Sequence, residues 1–126
     1  MRNFFLALAL FIGAMVWLRD WAATGKMDNF IAAREDPDAT PAVLDLLARM
    51  HDTFGEDELA VHYAKWLIRD YPGWKGEDRT RYRLGLKYEG MGRRDLAKEQ
   101  FDVLKDSFTH TNYGKLGRIK SDSYRY

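Results

Sequence analysis

Fifteen consecutive residues, Phe4 to Leu18, carry no charged or polar side chain. Such a run has no polar face, so it predicts a helix surrounded by lipid and not one laid on a soluble core. Its large members Phe4, Phe5, Leu6, Leu8, Leu10, Phe11, Ile12, Val16, Trp17 and Leu18, with Trp21 just beyond, are the expected lipid-facing residues. At 1.5 Å per residue the run reaches about 23 Å, short of a ~30 Å hydrocarbon core, which favours a secretory leader. Two features favour an uncleaved anchor. Asp20 and Trp21 spoil the small-residue cleavage pattern at Ala22 and Ala23, and Trp17 and Trp21 stand where an interfacial aromatic belt belongs. Arg19 lengthens the span if it snorkels. We read residues 1–24 as a transmembrane anchor, with a cleaved signal peptide as the alternative. Arg2 makes the amino terminus positive while Arg19 and Asp20 cancel. The positive-inside rule then puts the terminus in the cytoplasm and the rest in the periplasm of a bacterial inner membrane.

Residues 25–40 form a juxtamembrane segment. Met27, Phe30 and Ile31 have helical spacing and would either continue the first helix past Gly25 or cap one end of the repeats; Glu35 to Asp38 end that stretch. Thr40 and Pro41 then form a helix start, the threonine as cap and the proline at the first helical position.

Beyond this point the chain repeats itself at an offset of 37 residues. Leu47 falls on Leu84, Ala48 on Gly85, His51 on Tyr88, Gly55 on Gly92, Ala60 on Ala97, Ala64 on Phe101, Leu67 on Leu104 and Tyr71 on Phe108. Each unit holds an apolar stretch, a glycine turn, a second apolar stretch and an aromatic stop, and no gap is needed to align them. Gly55 and Gly92 suit helix ends that turn left-handed. Gly85 and Ala97 are small enough for two antiparallel helices to approach closely. All thirteen positions Leu47, Ala48, Gly55, Ala60, Ala64, Leu67, Leu84, Gly85, Tyr88, Gly92, Ala97, Phe101 and Leu104 are expected to pack the repeats together.

The second copy, from Leu84 to Leu104, resembles a tetratricopeptide repeat in the spacing of Leu84, Gly85, Tyr88, Gly92, Ala97, Phe101 and Leu104. The first copy is looser, with His51 in place of an aromatic, and Gly73-Trp74-Lys75-Gly76 lengthens the linker. The resemblance implies an all-α fold: a transmembrane helix, then a short solenoid of helical hairpins, two repeats over 41–74 and 78–111, plus capping helices. It implies a protein-binding scaffold and no enzyme. Residues 112–126 are left as a C-terminal cap and tail. Tyr113 to Ile119 is a weak helix because of its two glycines, and Ser121 to Tyr126 is disordered unless a partner holds it. Two repeats are fewer than a solenoid needs, so contact with something else completes the domain.

Transferred by register, the groove-lining positions are Asp45, Arg49 and Asp52 in the first copy and Arg79, Tyr82, Arg83, Leu86 and Glu89 in the second. Arginine forks there suit an acidic or carboxylate-ended segment. Arg79, Arg81 and Arg83 alternate and cannot share one helix face, so Arg81 points elsewhere.

Composition narrows the chemistry. The 126 residues include no cysteine, which excludes disulfides, thiolate zinc and thiol catalysis. His51, His62 and His110 share no ligand spacing, and no phosphate loop or catalytic motif occurs. No cofactor or metal is expected. The net charge of +1 hides an asymmetry: residues 25–78 hold 6 Lys+Arg against 12 Asp+Glu, and residues 79–126 hold 12 against 6. Such a molecule suits head-to-tail stacking or a place between oppositely charged surfaces. The expected partners are protein subunits of a respiratory, photosynthetic or secretory membrane complex and the bilayer itself, without nucleic acid. With a cleaved leader the same fold would serve as a periplasmic adaptor in envelope assembly or cell division.

Overall fold

The computed structural model describes residues 2–23 and 25–124, and every regular element among them is an α-helix. The chain divides into two compact units, Met1–Asp36 and Pro37–Tyr126.

In the first unit α1 runs from Arg2 to Ala23. Its 22 residues exceed the apolar run, because Arg19, Asp20 and Trp21 stay helical. At 1.5 Å per residue it is about 33 Å long, which removes the shortfall expected from the apolar run alone. The stretch Arg2–Trp21 has a mean hydropathy of 1.6 with none of it buried, so it is apolar and long enough to cross a membrane. Trp17 and Trp21 stack with ring centroids 5.7 Å apart. The helix does not continue into the next segment. Gly25 takes φ +79°, a left-handed conformation that breaks the chain direction, and α2 (Lys26–Ala33) starts afresh with Met27 and Ile31 buried. Phe30 meets the Trp21 ring edge-on at 5.7 Å.

The second unit is a succession of helical hairpins: α3 (Ala39–Thr53), α4 (Asp57–Asp70), α5 (Glu77–Gly90), α6 (Arg94–Ser107) and α7 (Asn112–Ser123). Each packs on the next. Helix α3 begins at Ala39, with Asp38 as its cap residue, so Thr40 and Pro41 lie inside the first turn and are buried. A proline costs little there, since first-turn N–H groups have no intrahelical acceptor.

The 37-residue register recurs in the backbone. Helices α4 and α6 begin and end 37 residues apart, as do the ends of α3 and α5. At the first turn the Glu56 N–H donates to the His51 carbonyl (2.8 Å) and Gly55 has φ +74°. At the second the Arg93 N–H donates to the Tyr88 carbonyl (2.8 Å) and Gly92 has φ +77°. The aromatic stops cap in the same way, the N–H of Tyr71 donating to Leu67 and that of Phe108 to Leu104, each at 3.0 Å.

The core follows from the apolar stripes. Val61, Ala64, Leu84, Tyr88, Ala97, Phe101 and Leu104 form one buried cluster, with Ala48, Tyr82, Phe108 and Tyr124 packed against it. Gly85 is small because the Phe101 ring lies against it: a Cβ there would come within 2.6 Å of that ring. Leu44, Tyr63 and Leu67 fill the space between α3 and α4.

The segment after residue 111 is more ordered than its sequence suggests. Helix α7 is twelve residues long, and the Thr111 hydroxyl caps it by accepting from the Gly114 N–H at 2.9 Å. Its two glycines are close-packing positions: a side chain on Gly114 would strike the Phe108 carbonyl, and one on Gly117 would strike Leu104. Ser121 is buried and its hydroxyl donates to Asp102, while Tyr124 stacks on Phe101 with centroids 6.0 Å apart. The tail through Tyr124 is therefore held by its own chain; Arg125 and Tyr126 lie outside the described residues.

Candidate functional site

The eight groove positions separate into three groups. Asp45 and Arg79 pair with each other. The Asp45 carboxylate is buried and lies 3.2 Å from both the Arg49 Nε and the Arg79 Nη2, which ties α3 to α5. Arg79 also reaches over the Trp74 ring at 5.8 Å, so the linker tryptophan helps hold it.

Tyr82 and Glu89 face α7. The Tyr82 ring lies between Phe101 at 5.9 Å and Tyr113 at 5.7 Å. Glu89 accepts from Lys120 Nζ at 2.9 Å and from the Tyr124 hydroxyl. Burial pushes the Tyr124 phenol up, Glu89 adds to it, and the value reaches about 12. Burial raises Glu89 in turn, but the hydrogen bonds from Tyr124 and Lys120 outweigh it and hold the carboxylate below its ordinary value.

Arg49, Asp52, Arg83 and Leu86 remain near the surface between α3, α4 and α5. With Asp45 and Lys87 they rim small clefts, one of about 30 Å³ over an apolar floor of Ala48, Ala60, Val61, Ala64 and Leu84. That volume admits ordered water, and the open cleft beside it, bordered by Asp52, Asp57, Arg83, Leu86 and Lys87, is about 290 Å³. Lys87 bridges Asp52 and Asp57, the latter at 2.9 Å. Hydrogen bonding to Asp52 raises the Lys87 ammonium, opposed by partial burial and reinforced by Asp57. Arg83 is exposed and makes no ion pair among the described residues. Arg81 turns to the other side, bonding Glu77 at 3.2 Å and Gln100 at 2.9 Å.

These pairs reveal what sequence reasoning missed. Asp45, Asp52, Asp57 and Glu58 of the acidic half meet Arg79, Lys87 and Arg93 of the basic half, Arg93 to Glu58 at 2.7 Å. Part of the charge asymmetry, four acids and three cations, is thus spent at the junction between hairpins. The 37-residue register carried the signal: Asp52 and Glu89 are equivalent positions, and each binds a cation from the second helix after its own, α5 and α7 respectively.

Nothing matches. Comparison with protein-family models, with curated proteins and with solved structures finds no significant similarity to this chain. The site must be judged on its own geometry.

His51 packs flat on the fully buried Tyr63, rings 5.5 Å apart, with its Nδ1 3.8 Å from Glu56. Burial lowers its pKa from 6.5, against the upward pull of Glu56. Among the described residues no group of three or more His, Asp or Glu side chains converges as a metal site.

One exposed feature of the second unit is apolar. Val43, Leu46, Met50 and Phe54 make one stripe along α3, with Leu46 50% and Phe54 57% exposed. Their spacing of three or four residues puts them on one helix face. At the other end of the succession α7 exposes Leu116 and Ile119.

Proposed function

We propose that this chain is a membrane-anchored helical-repeat protein of tetratricopeptide-like design, and that it holds protein subunits together without catalysing a reaction. The single observation that carries the reading is the uncovered stripe Val43, Leu46, Met50 and Phe54 on the first helix of a repeated hairpin stack. Solenoid units bury such faces against a neighbour, and a terminal unit without one needs a partner or a cap. An exposed row of large apolar side chains marks an interaction surface. Arg83, with no ion pair among the described residues, and the exposed Leu86 offer a second point of contact for a carboxylate-bearing segment.

The recipient is a multisubunit bacterial membrane complex, respiratory, photosynthetic or secretory. Helix α1 spans the inner membrane with its amino terminus in the cytoplasm, and the hairpins work in the periplasm. Native membranes opened in mild detergent test this: the chain should migrate with a large complex. The double substitution Leu46→Glu and Met50→Glu should release it, with the unfolding midpoint of the hairpins unchanged. A stable monomer in mild detergent would overturn the proposal. The break at Gly25 favours a second reading, in which α1 is a leader removed from a periplasmic adaptor. An intact N-terminal peptide in the mass spectrum of the native protein excludes it.

A further inference from the structure

Among the described residues α7 leaves two neighbouring cations without an ion pair, where α5 leaves Arg83 and α6 leaves Arg94, which lies over the Tyr124 ring at 5.0 Å. In the basic half Arg79, Arg81, Lys87, Arg93, Lys98, Lys105 and Lys120 all sit in ion pairs. Lys115 and Arg118 are in none among the described residues, and both are exposed. Between and beside them Leu116 is 42% and Ile119 67% exposed, and Ser123 continues the same face one turn on. Lys115, Arg118 and Ile119 border an open cleft of about 730 Å³ between α6 and α7, where Asp106 supplies one countercharge. The α7 acid Asp122 is engaged by Lys105 at 3.1 Å.

We propose that this face of α7 rests on an anionic lipid surface. Two unpaired cations beside two protruding aliphatic side chains, on a helix otherwise packed against its own domain, match an interfacial amphipathic helix: the cations meet phosphates and the aliphatics enter the headgroup boundary. Lipid fits this face better than a protein helix. Two aliphatics leave a partner helix little to grip, while the two unpaired cations outnumber the one acid beside them, Asp106. The proposal rests on the anchor reading for its tether, since a chain held by α1 keeps α7 at high effective concentration near the bilayer. Two cations near an anionic surface favour the docked state by about 30-fold.

The absence of cysteine allows clean site labelling. A nitroxide on Ser123→Cys reports the α7 face, one on Leu10→Cys reports the anchor, and one on Thr53→Cys serves as a solvent reference. The full chain is reconstituted into phosphatidylcholine vesicles, alone or with one-third phosphatidylglycerol, and collision rates with oxygen and with a nickel chelate are compared. The expected result is a lipid-like signal at position 123 in anionic vesicles only, reversed by molar salt and abolished by Lys115→Glu with Arg118→Glu. A lipid-like signal at 10 with a solvent-like signal at 123 in both vesicles overturns the surface proposal and spares the anchor. A solvent-like signal at 10 overturns the anchor reading, and the tethered form of this proposal with it. Equal shielding of 123 in neutral vesicles or in detergent means that a second copy covers the face, and overturns the lipid assignment.

Discussion

The buried Asp45 carboxylate on α3 accepts a hydrogen bond from the Arg79 guanidinium on α5 at 3.2 Å, although 34 residues separate them. Helices α3 and α5 are the first members of successive hairpins, so this pair adds a polar link to the apolar packing of α4 on α5. Arg49 shares the carboxylate, and the three groups act as one unit.

Removing the shared acceptor should therefore cost more than removing either donor. Asp45→Ala is expected to destabilise the hairpins by about 1–3 kcal/mol, because it strands a partly buried guanidinium. Arg49→Ala, at the exposed end, should cost under about 1 kcal/mol. Urea melts of the two single variants, Arg79→Ala and the Asp45/Arg79 double variant give the coupling. Additive effects would show that the pair does not join the hairpins.

Glycines on α5 should respond to alanine with opposite signs. Gly85→Ala drives a methyl into the Phe101 ring, and overpacking of this kind costs about 1–3 kcal/mol despite better helix propensity. Gly90, at the end of the same helix, has open space around its Cβ direction. Gly90→Ala should raise stability by about 0.5–1 kcal/mol through helix propensity alone. Thermal melts of the two variants side by side decide it.

Acid should weaken the second unit in two stages. His51 binds its proton less readily folded than unfolded, so the unfolded chain takes up more protons just below pH 6.5 and stability falls as the pH drops there. The loss levels off below the folded value, and His51→Gln should remove it. Glu89 and Asp102 are held below their ordinary carboxylate values, so their contribution is present above those values and fades at lower pH still. Denaturation midpoints measured across pH 7 to pH 3 in the parent and His51→Gln chains separate the stages.

At the alkaline end Tyr124 should be a late-titrating phenol. Ultraviolet titration should show one tyrosine ionising near 12, absent from Tyr124→Phe and moved toward 10 in Glu89→Gln. Its proton stabilises the fold fully below pH 10, and that stabilisation disappears as the pH climbs through 12.

Much of this architecture was legible because it is local. The apolar run announced α1, and the match of small with small and large with large gave the hairpin register, since each pair of residues serves one turn or one helix contact. What escaped notice depends on distant atoms. The glycines at 114 and 117 lower helix propensity in isolation, yet α7 forms because their bare Cα atoms let it close on Phe108 and Leu104. Repeat register placed eight residues along one groove but was blind to α7, which draws Tyr82 and Glu89 away from Arg83. Helix α1, Arg2–Ala23, fills the span read for the anchor at 1–24, because helicity does not stop where hydrophobicity does and Arg19 and Asp20 remain in the helix.

The stitching of acidic to basic side chains between the hairpins has a consequence for how the protein comes apart. Cleaved in the glycine-bearing linker at 73–76, the second unit would yield two fragments of opposite sign. Each would carry one complementary half of the Asp45–Arg79, Asp57–Lys87 and Glu58–Arg93 seam. In dilute buffer the halves should find each other and rebuild the unit, and in concentrated salt they should drift apart. The linker then supplies proximity, and recognition between the hairpins is written into the side chains themselves.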